Sequence, residues 1–196
     1  NNVRLFTNGK DHPFVTKKYE ETYQKFLQTE LYNFVYMGIS DSYVSKLSVV
    51  LNDFKSLTEI NLKGNEIGGE GAAALAKALE GNSSIATMDL AGNKIGANGA
   101  AALAKALEVN TSIVEMELAG EHEGGRSPGQ GPEGEHGWNK TGAEGTIALA
   151  KALEVNTSIA TMNLGYNKIH DDNGIGDEGA AALAKAGAAA LAKPWR

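Results

Sequence analysis

The stretch LTEINLKGNEI at residues 57–67, followed by GGEGAAALAKALE at residues 68–80, decides the fold of this chain. The same pattern starts again at Ile85 and at Ile113, each time 28 residues further along the chain. A fixed period of this length, headed by L-x-x-L-x-L-x-x-N, indicates a repeat architecture. We therefore expect one continuous stack of similar units.

Each part of the unit has a predicted structure. Alternation in residues 59–63 predicts a short strand with Ile60 and Leu62 facing inward. Asn65 follows that strand, and its amide can bond backbone groups that the turn leaves unpaired, so stacked units are expected to form an asparagine ladder. Residues 72–79 predict an alanine-rich helix with Leu75 and Leu79 on one face. A single unit cannot bury its apolar side, but a stack can.

The repeat resembles the ribonuclease-inhibitor type of leucine-rich repeat, which also occurs in NOD-like receptors and Ran GTPase-activating proteins. The resemblance covers roughly residues 31–190. It implies an α/β leucine-rich-repeat solenoid, a curved arc with a parallel β-sheet on the concave side and α-helices on the convex side. It also implies a protein-binding role rather than an enzyme, with the function carried by the exposed positions.

Three segments follow from the periodicity. Residues 1–30 are predicted to form a degenerate N-terminal capping repeat, whose helix begins at Pro13 and carries large aromatic side chains. Residues 31–190 form the repeats, and residues 191–196 form a C-terminal tail. The first repeat, 31–56, is interpreted as two residues shorter than the others, with Leu31, Phe34 and Tyr36 at its consensus positions.

Two insertions interrupt the repeats, at residues 121–138 and at about 170–175. Removing residues 121–138 restores the 28-residue period. Both insertions fall between a strand and a helix, so we expect the two loops to leave the stack side by side on one rim. Insertions of this kind commonly lie on the binding face of repeat proteins.

Composition narrows the class of partner. The chain has 196 residues, a formal net charge of −6 and no cysteine. This acidic balance argues against a nucleic-acid partner, and no apolar run approaches the roughly 18 residues of a membrane helix. The absence of cysteine favours a reducing compartment, so a cytoplasmic location is expected.

Catalytic and metal-binding motifs are not evident in the sequence. There is no cysteine nucleophile, no nucleophile elbow and no phosphate-binding lysine motif, so we expect no enzyme activity. The inserted loops carry His122, His136 and His170, but their spacing matches no compact metal motif. We predict neither a metal nor a cofactor.

Four Asn-x-Ser/Thr sequons raise the question of glycosylation. Three of them occupy the same position just after a helix, which favours helix-ending turns over acceptor sites. The four asparagines are Asn82, Asn110, Asn139 and Asn156.

Two surfaces are candidates for binding a protein partner. The outward positions of neighbouring strands are acidic and favour a partner with a basic patch; they are Glu59, Asn61, Asp89, Glu115 and Glu117. The rim loops supply Arg126, Trp138, His170 and Asp171.

Two other functions stay open from the sequence. The chain could regulate a small GTPase, in which case Arg126 is the residue that would act as an arginine finger. It could also be a structural scaffold, a fragment of a larger repeat protein.

Overall fold

The computed structural model describes residues 12–120, 139–167 and 174–191. Within these ranges, short strands alternate with longer helices, and each strand–helix pair corresponds to one repeat. The strands are β1 (Leu31–Asn33), β2 (Glu59–Asn61), β3 (Thr87–Asp89), β4 (Glu115–Glu117) and β5 (Thr161–Asn163). The helices are α1 (His12–Leu27), α2 (Asp41–Val50), α3 (Gly69–Gly81), α4 (Gly96–Leu107), α5 (Gly142–Val155) and α6 (Gly176–Leu191), with a 3₁₀ turn at Leu51–Asp53.

The five strands form one parallel sheet in the order β1-β2-β3-β4-β5. Their register follows the repeat: Ile60 pairs with Met88, Met88 with Met116, and Met116 with Met162. The last pairing spans the first insertion, so the stack continues in phase across it. These central residues face the helices, while the residues on either side of them face the open surface of the sheet. The predicted α/β leucine-rich-repeat solenoid is thus confirmed.

The core lies between the sheet and the helices. Leucine and isoleucine side chains fill it, and alanine and glycine let neighbouring helices approach closely. At Gly99 of α4, an added Cβ would lie 2.9 Å from the Cβ of Ala72 and 3.1 Å from the Cα of Gly69, both in α3. Any larger residue at this position would push the two helices apart. Among the described residues, no helix combines the length and apolar character needed to cross a bilayer.

The interpretation of the first repeat was wrong by two residues. Leu31 pairs with Glu59, so this repeat has the same length as its successors. Tyr32 and Phe34 pack against the core, whereas Leu31 and Tyr36 are 45% and 40% exposed. Because side chains alternate with a period of two, a two-residue slip leaves the same face inward, and alternation alone cannot detect it.

Helix α1 is placed differently from the other helices. Each of α2 to α5 packs along the helix that follows it, but α1 makes no extensive contact with any other described element. Among the side chains of α1 that the structure describes, Leu27 is the one that packs against the core cluster. Residues 1–11 of the predicted N-terminal cap lie outside the described residues, so the cap as a whole stays a prediction.

The predicted asparagine ladder is present at the turns that follow the strands. Its members are buried and occupy one position of successive repeats: Asn65, Asn93, Asn139 and Asn167. The Nδ2 of Asn93 donates to the carbonyls of Leu90 (3.0 Å) and, in the preceding repeat, Leu62 (3.0 Å). Its Oδ1 accepts the N–H of Ile67 at 3.1 Å. Each amide therefore satisfies its own turn and joins it to the preceding one.

We expect Asn93→Ala to lower the free energy of unfolding by about 3 kcal/mol, because it leaves several buried backbone groups without partners. Urea unfolding followed by circular dichroism measures this. Asn98→Ala is the control, since Asn98 is an exposed asparagine in α4 and should change stability by no more than about 0.5 kcal/mol. Equal effects of the two substitutions would contradict the role assigned to the ladder.

Candidate functional site

The open face of the sheet carries two parallel rows of side chains, one on each side of the inward-facing central residues. Strand register sets the order within each row, at a spacing of about 4.8 Å between neighbouring strands. The first row is Leu31, Glu59, Thr87, Glu115 and Thr161, and the second is Asn33, Asn61, Asp89, Glu117 and Asn163.

The second row also shapes the turns that leave the strands. In four strands the side-chain oxygen accepts the N–H of the residue two positions further on, an arrangement that asparagine and aspartate favour. The bonds are Val35 N–H to Asn33 (3.3 Å), Lys63 N–H to Asn61 (3.1 Å), Ala91 N–H to Asp89 (2.9 Å) and Gly165 N–H to Asn163 (2.9 Å). Glu117, one methylene longer, has no such bond among the described residues. Its carboxylate is therefore not committed to a turn.

The charge of this face is one-sided. Counting the five strands and the two residues that follow each of them, the acidic residues are Glu59, Asp89, Glu115 and Glu117, and Lys63 is the basic one. Four negative charges against one positive charge leave a net charge of −3. The salt bridges of the described residues lie elsewhere, at Lys17–Glu21 (4.0 Å) and Lys185–Glu154 (3.2 Å) on the helices.

Asp89 and Glu117 are register partners on neighbouring strands, so two acidic residues are adjacent in the second row. Like charges in this position destabilise a sheet. Glu115 lies two residues from Glu117 on the same strand and adds a third negative charge. We refer to Glu59, Asp89, Glu115 and Glu117 as the acidic face.

The structure brings together five of the nine residues singled out in the sequence. Glu59, Asn61, Asp89, Glu115 and Glu117 share one surface across three neighbouring strands. The other four, Arg126, Trp138, His170 and Asp171, lie outside the described residues. No group of three or more His, Asp or Glu side chains is positioned to hold a metal within the described part of the chain.

A groove at the N-terminal end of the stack is not predicted by the sequence pattern. It has a volume of about 450 Å³, and its walls include Phe34, Met37, Tyr43, Leu47 and Val50. A signal for it was present: Tyr43 of α2 stands where the following helices have Gly71 and Gly99. Nearby, burial raises the pKa of Tyr32, and a hydrogen bond with Thr29 opposes that rise.

The sequon asparagines have structural roles. Asn82 and Asn156 are the C-caps of α3 and α5, which confirms the predicted helix-ending turns. The Nδ2 of Asn110 donates to the carbonyls of Leu79 (2.8 Å) and Asn82 (2.9 Å). Asn139 likewise donates to the carbonyl of Leu118 at 3.0 Å. A glycan would be attached through the side-chain nitrogen. That nitrogen is engaged in buried hydrogen bonds in Asn110, Asn139 and Asn156, and Asn82 is itself buried.

Comparison with known proteins agrees with this architecture. The family described as Leucine Rich repeat matches residues 55–76, 81–104 and 171–184. No match is found among curated proteins. These matches agree with the leucine-rich-repeat fold of the chain, and its assignment to the ribonuclease-inhibitor type stays a prediction.

Two solved structures share the fold. One is described as "Leiomodin-1 Actin-Binding Site 2 (ABS2)"; it has a TM-score of 0.60 and 15% identity, covering 89% of this chain and 88% of that one. The other is the tropomodulin C-terminal domain of Caenorhabditis elegans, with a TM-score of 0.59 and 16% identity, covering 87% of this chain and 92% of that one. Identities this low establish similarity of fold alone.

Proposed function

We propose that this protein is a binding module that holds a protein partner against its acidic face, and that the partner presents a basic patch. The observation that carries the proposal is the cross-strand pair of Asp89 and Glu117. Two adjacent like charges cost a sheet stability. A basic partner would turn that cost into attraction when it binds.

The rest of the concave surface supports the same role. The acidic face spans β2, β3 and β4 without a gap, and Glu59 and Glu115 are exposed to solvent. The opposite face of these strands packs against the helices, and the asparagine ladder fixes the turns that follow them. The acidic side chains are therefore attached to a rigid backbone. A rigid display reduces the entropy lost on binding.

Actin is the first partner to test. One of the solved structures of similar fold is described as an actin-binding site. The proposed GTPase-regulator alternative gains no comparable support, because Arg126, its one candidate residue, lies outside the described residues. We also propose that the rim residues Trp138, His170 and Asp171 extend the contact, since the two insertions follow the neighbouring strands β4 and β5 in the chain.

We expect the double substitution Glu115→Lys and Glu117→Lys to weaken partner binding by about tenfold, equivalent to 1.4 kcal/mol, because two attractions become repulsions. The matched control is Glu80→Lys with Glu108→Lys, at exposed positions at the C-terminal ends of α3 and α4. Each pair changes the net charge from −6 to −2, so a general charge effect would appear in both. Co-sedimentation with filamentous actin, together with affinity capture from lysate analysed by mass spectrometry, supplies the readout.

Loss of binding in the first pair but not in the second supports the acidic face as the contact surface. Equal binding by both variants would exclude the acidic face as the contact surface. Absence of actin binding in the unaltered chain would reject actin, whereas a captured partner lost in the first pair would still support the face.

Glu117→Asn tests whether stability has been given up for binding. Asparagine removes the charge beside Asp89 and can form the turn bond that Asn163 makes, so we expect the free energy of unfolding to rise by about 0.5 kcal/mol while partner binding weakens. Chemical unfolding and the same binding assay measure the two effects. Glu59→Asn is the control, since its register partners Leu31 and Thr87 are uncharged. A variant that is no more stable than the unaltered chain would contradict the repulsion argument.

A further inference from the structure

We infer that the groove beside α2 is the seat of this chain's own helix α1, which docks there through Tyr19 and Tyr23. In the structure both the groove and the two tyrosine side chains are accessible to solvent. The groove is bordered by Tyr43 and Val50, which are 66% and 38% exposed, and Tyr19 and Tyr23 of α1 are 74% and 40% exposed.

The seat differs from every other helix contact in the stack. Gly99 of α4 lies so close to Ala72 of α3 that a side chain would not fit between them. One and two repeats earlier, the corresponding positions are Gly71 and then Tyr43. A helix resting on α2 must therefore lie farther out than α3 lies from α4, and it needs larger side chains to fill the space.

Helix α1 provides such side chains at the required positions. One repeat of 28 residues separates Tyr19 from Leu47 and Tyr23 from Leu51. In the next helix these positions are Leu75 and Leu79, which are fully buried and face the core. The repeat pattern thus places Tyr19 and Tyr23 on the inward face of α1, where tyrosine replaces leucine as the wider gap beside Tyr43 requires.

The chain connection favours α1 over a foreign helix. Three residues, 28–30, join α1 to β1, and Leu27 at the end of α1 already packs against the core. Docking of α1 requires a change of backbone direction within this short segment. A tethered helix has a high effective concentration at its seat, whereas a second copy or another protein would also lose translational freedom on binding.

A disulfide trap tests the contact, because the chain has no cysteine of its own. The close contact between α3 and α4 joins Gly99 to Ala72, which lies 27 positions earlier in the chain. Applied to α1 and α2, the same offset places Tyr23 against Val50. The variant is Tyr23→Cys with Val50→Cys in the full chain. The control is Lys25→Cys with Val50→Cys, since Lys25 lies on nearly the opposite side of α1. Circular dichroism checks that both variants remain folded.

We expect the Tyr23→Cys, Val50→Cys variant to form an intrachain disulfide about tenfold faster than the control, as a monomer on a non-reducing gel. Equal rates in the two variants would overturn the inference. Disulfides found mainly between chains, and increasing with concentration, would also overturn it, because the seat would then hold α1 of a second copy.

Hydrogen exchange provides a measurement that needs no cysteine. Val50→Asp places a charge in the groove at a partly exposed position, so the fold should persist while α1 loses its seat. We expect faster exchange of the α1 amides in this variant than in the unaltered chain, with the amides of α4 unchanged. Identical exchange of α1 in both chains would count against docking. Neither readout depends on the acidic face, so the proposed function is tested separately.

Discussion

Buried asparagine amides hold this solenoid together, because each amide bonds backbone groups that a turn would otherwise leave unpaired. Two sets do so on opposite sides of the core. Asn93 joins the turn after β3 to the preceding repeat, and Asn110 joins the end of one helix to the end of the one before it. An unpaired buried backbone group is costly, so both sets fix the spacing of the repeats. The apolar core then fills the space that this spacing defines.

This division of tasks frees the concave face. The turns and the core are stabilised by asparagine and by aliphatic side chains. The outward strand positions therefore contribute little to stability apart from the turn hydrogen bonds of the second row. Such positions can hold charges that oppose one another, as Asp89 and Glu117 do. The cost of that repulsion is small beside the stability supplied by the ladders and core, which lets the outward surface of the sheet be acidic without endangering the fold.

The ends of a solenoid are its structural weakness, since each repeat relies on its neighbours to cover an apolar side. At the N-terminal end, Tyr43 replaces the glycine that lets helices pack closely in the later repeats. The contact between α1 and α2 cannot then be a regular one. Tyr43 also lines the groove, so the residue that ends the close glycine packing of the helices lies at the place where we propose that α1 docks.

The sequence by itself determined the repeat, the inward and outward parity of the strands, and the four members of the acidic face, because period and alternation follow directly from backbone geometry. It did not determine the register of β1, since a slip of two residues preserves parity and only pairing with β2 places Leu31 beside Glu59. Tertiary structure also decided that α1 stands apart from α2, although the other neighbouring helices pack along one another. Both facts depend on how the terminal repeat packs against the next one, and strand alternation and helix period do not specify which segment a given segment packs against.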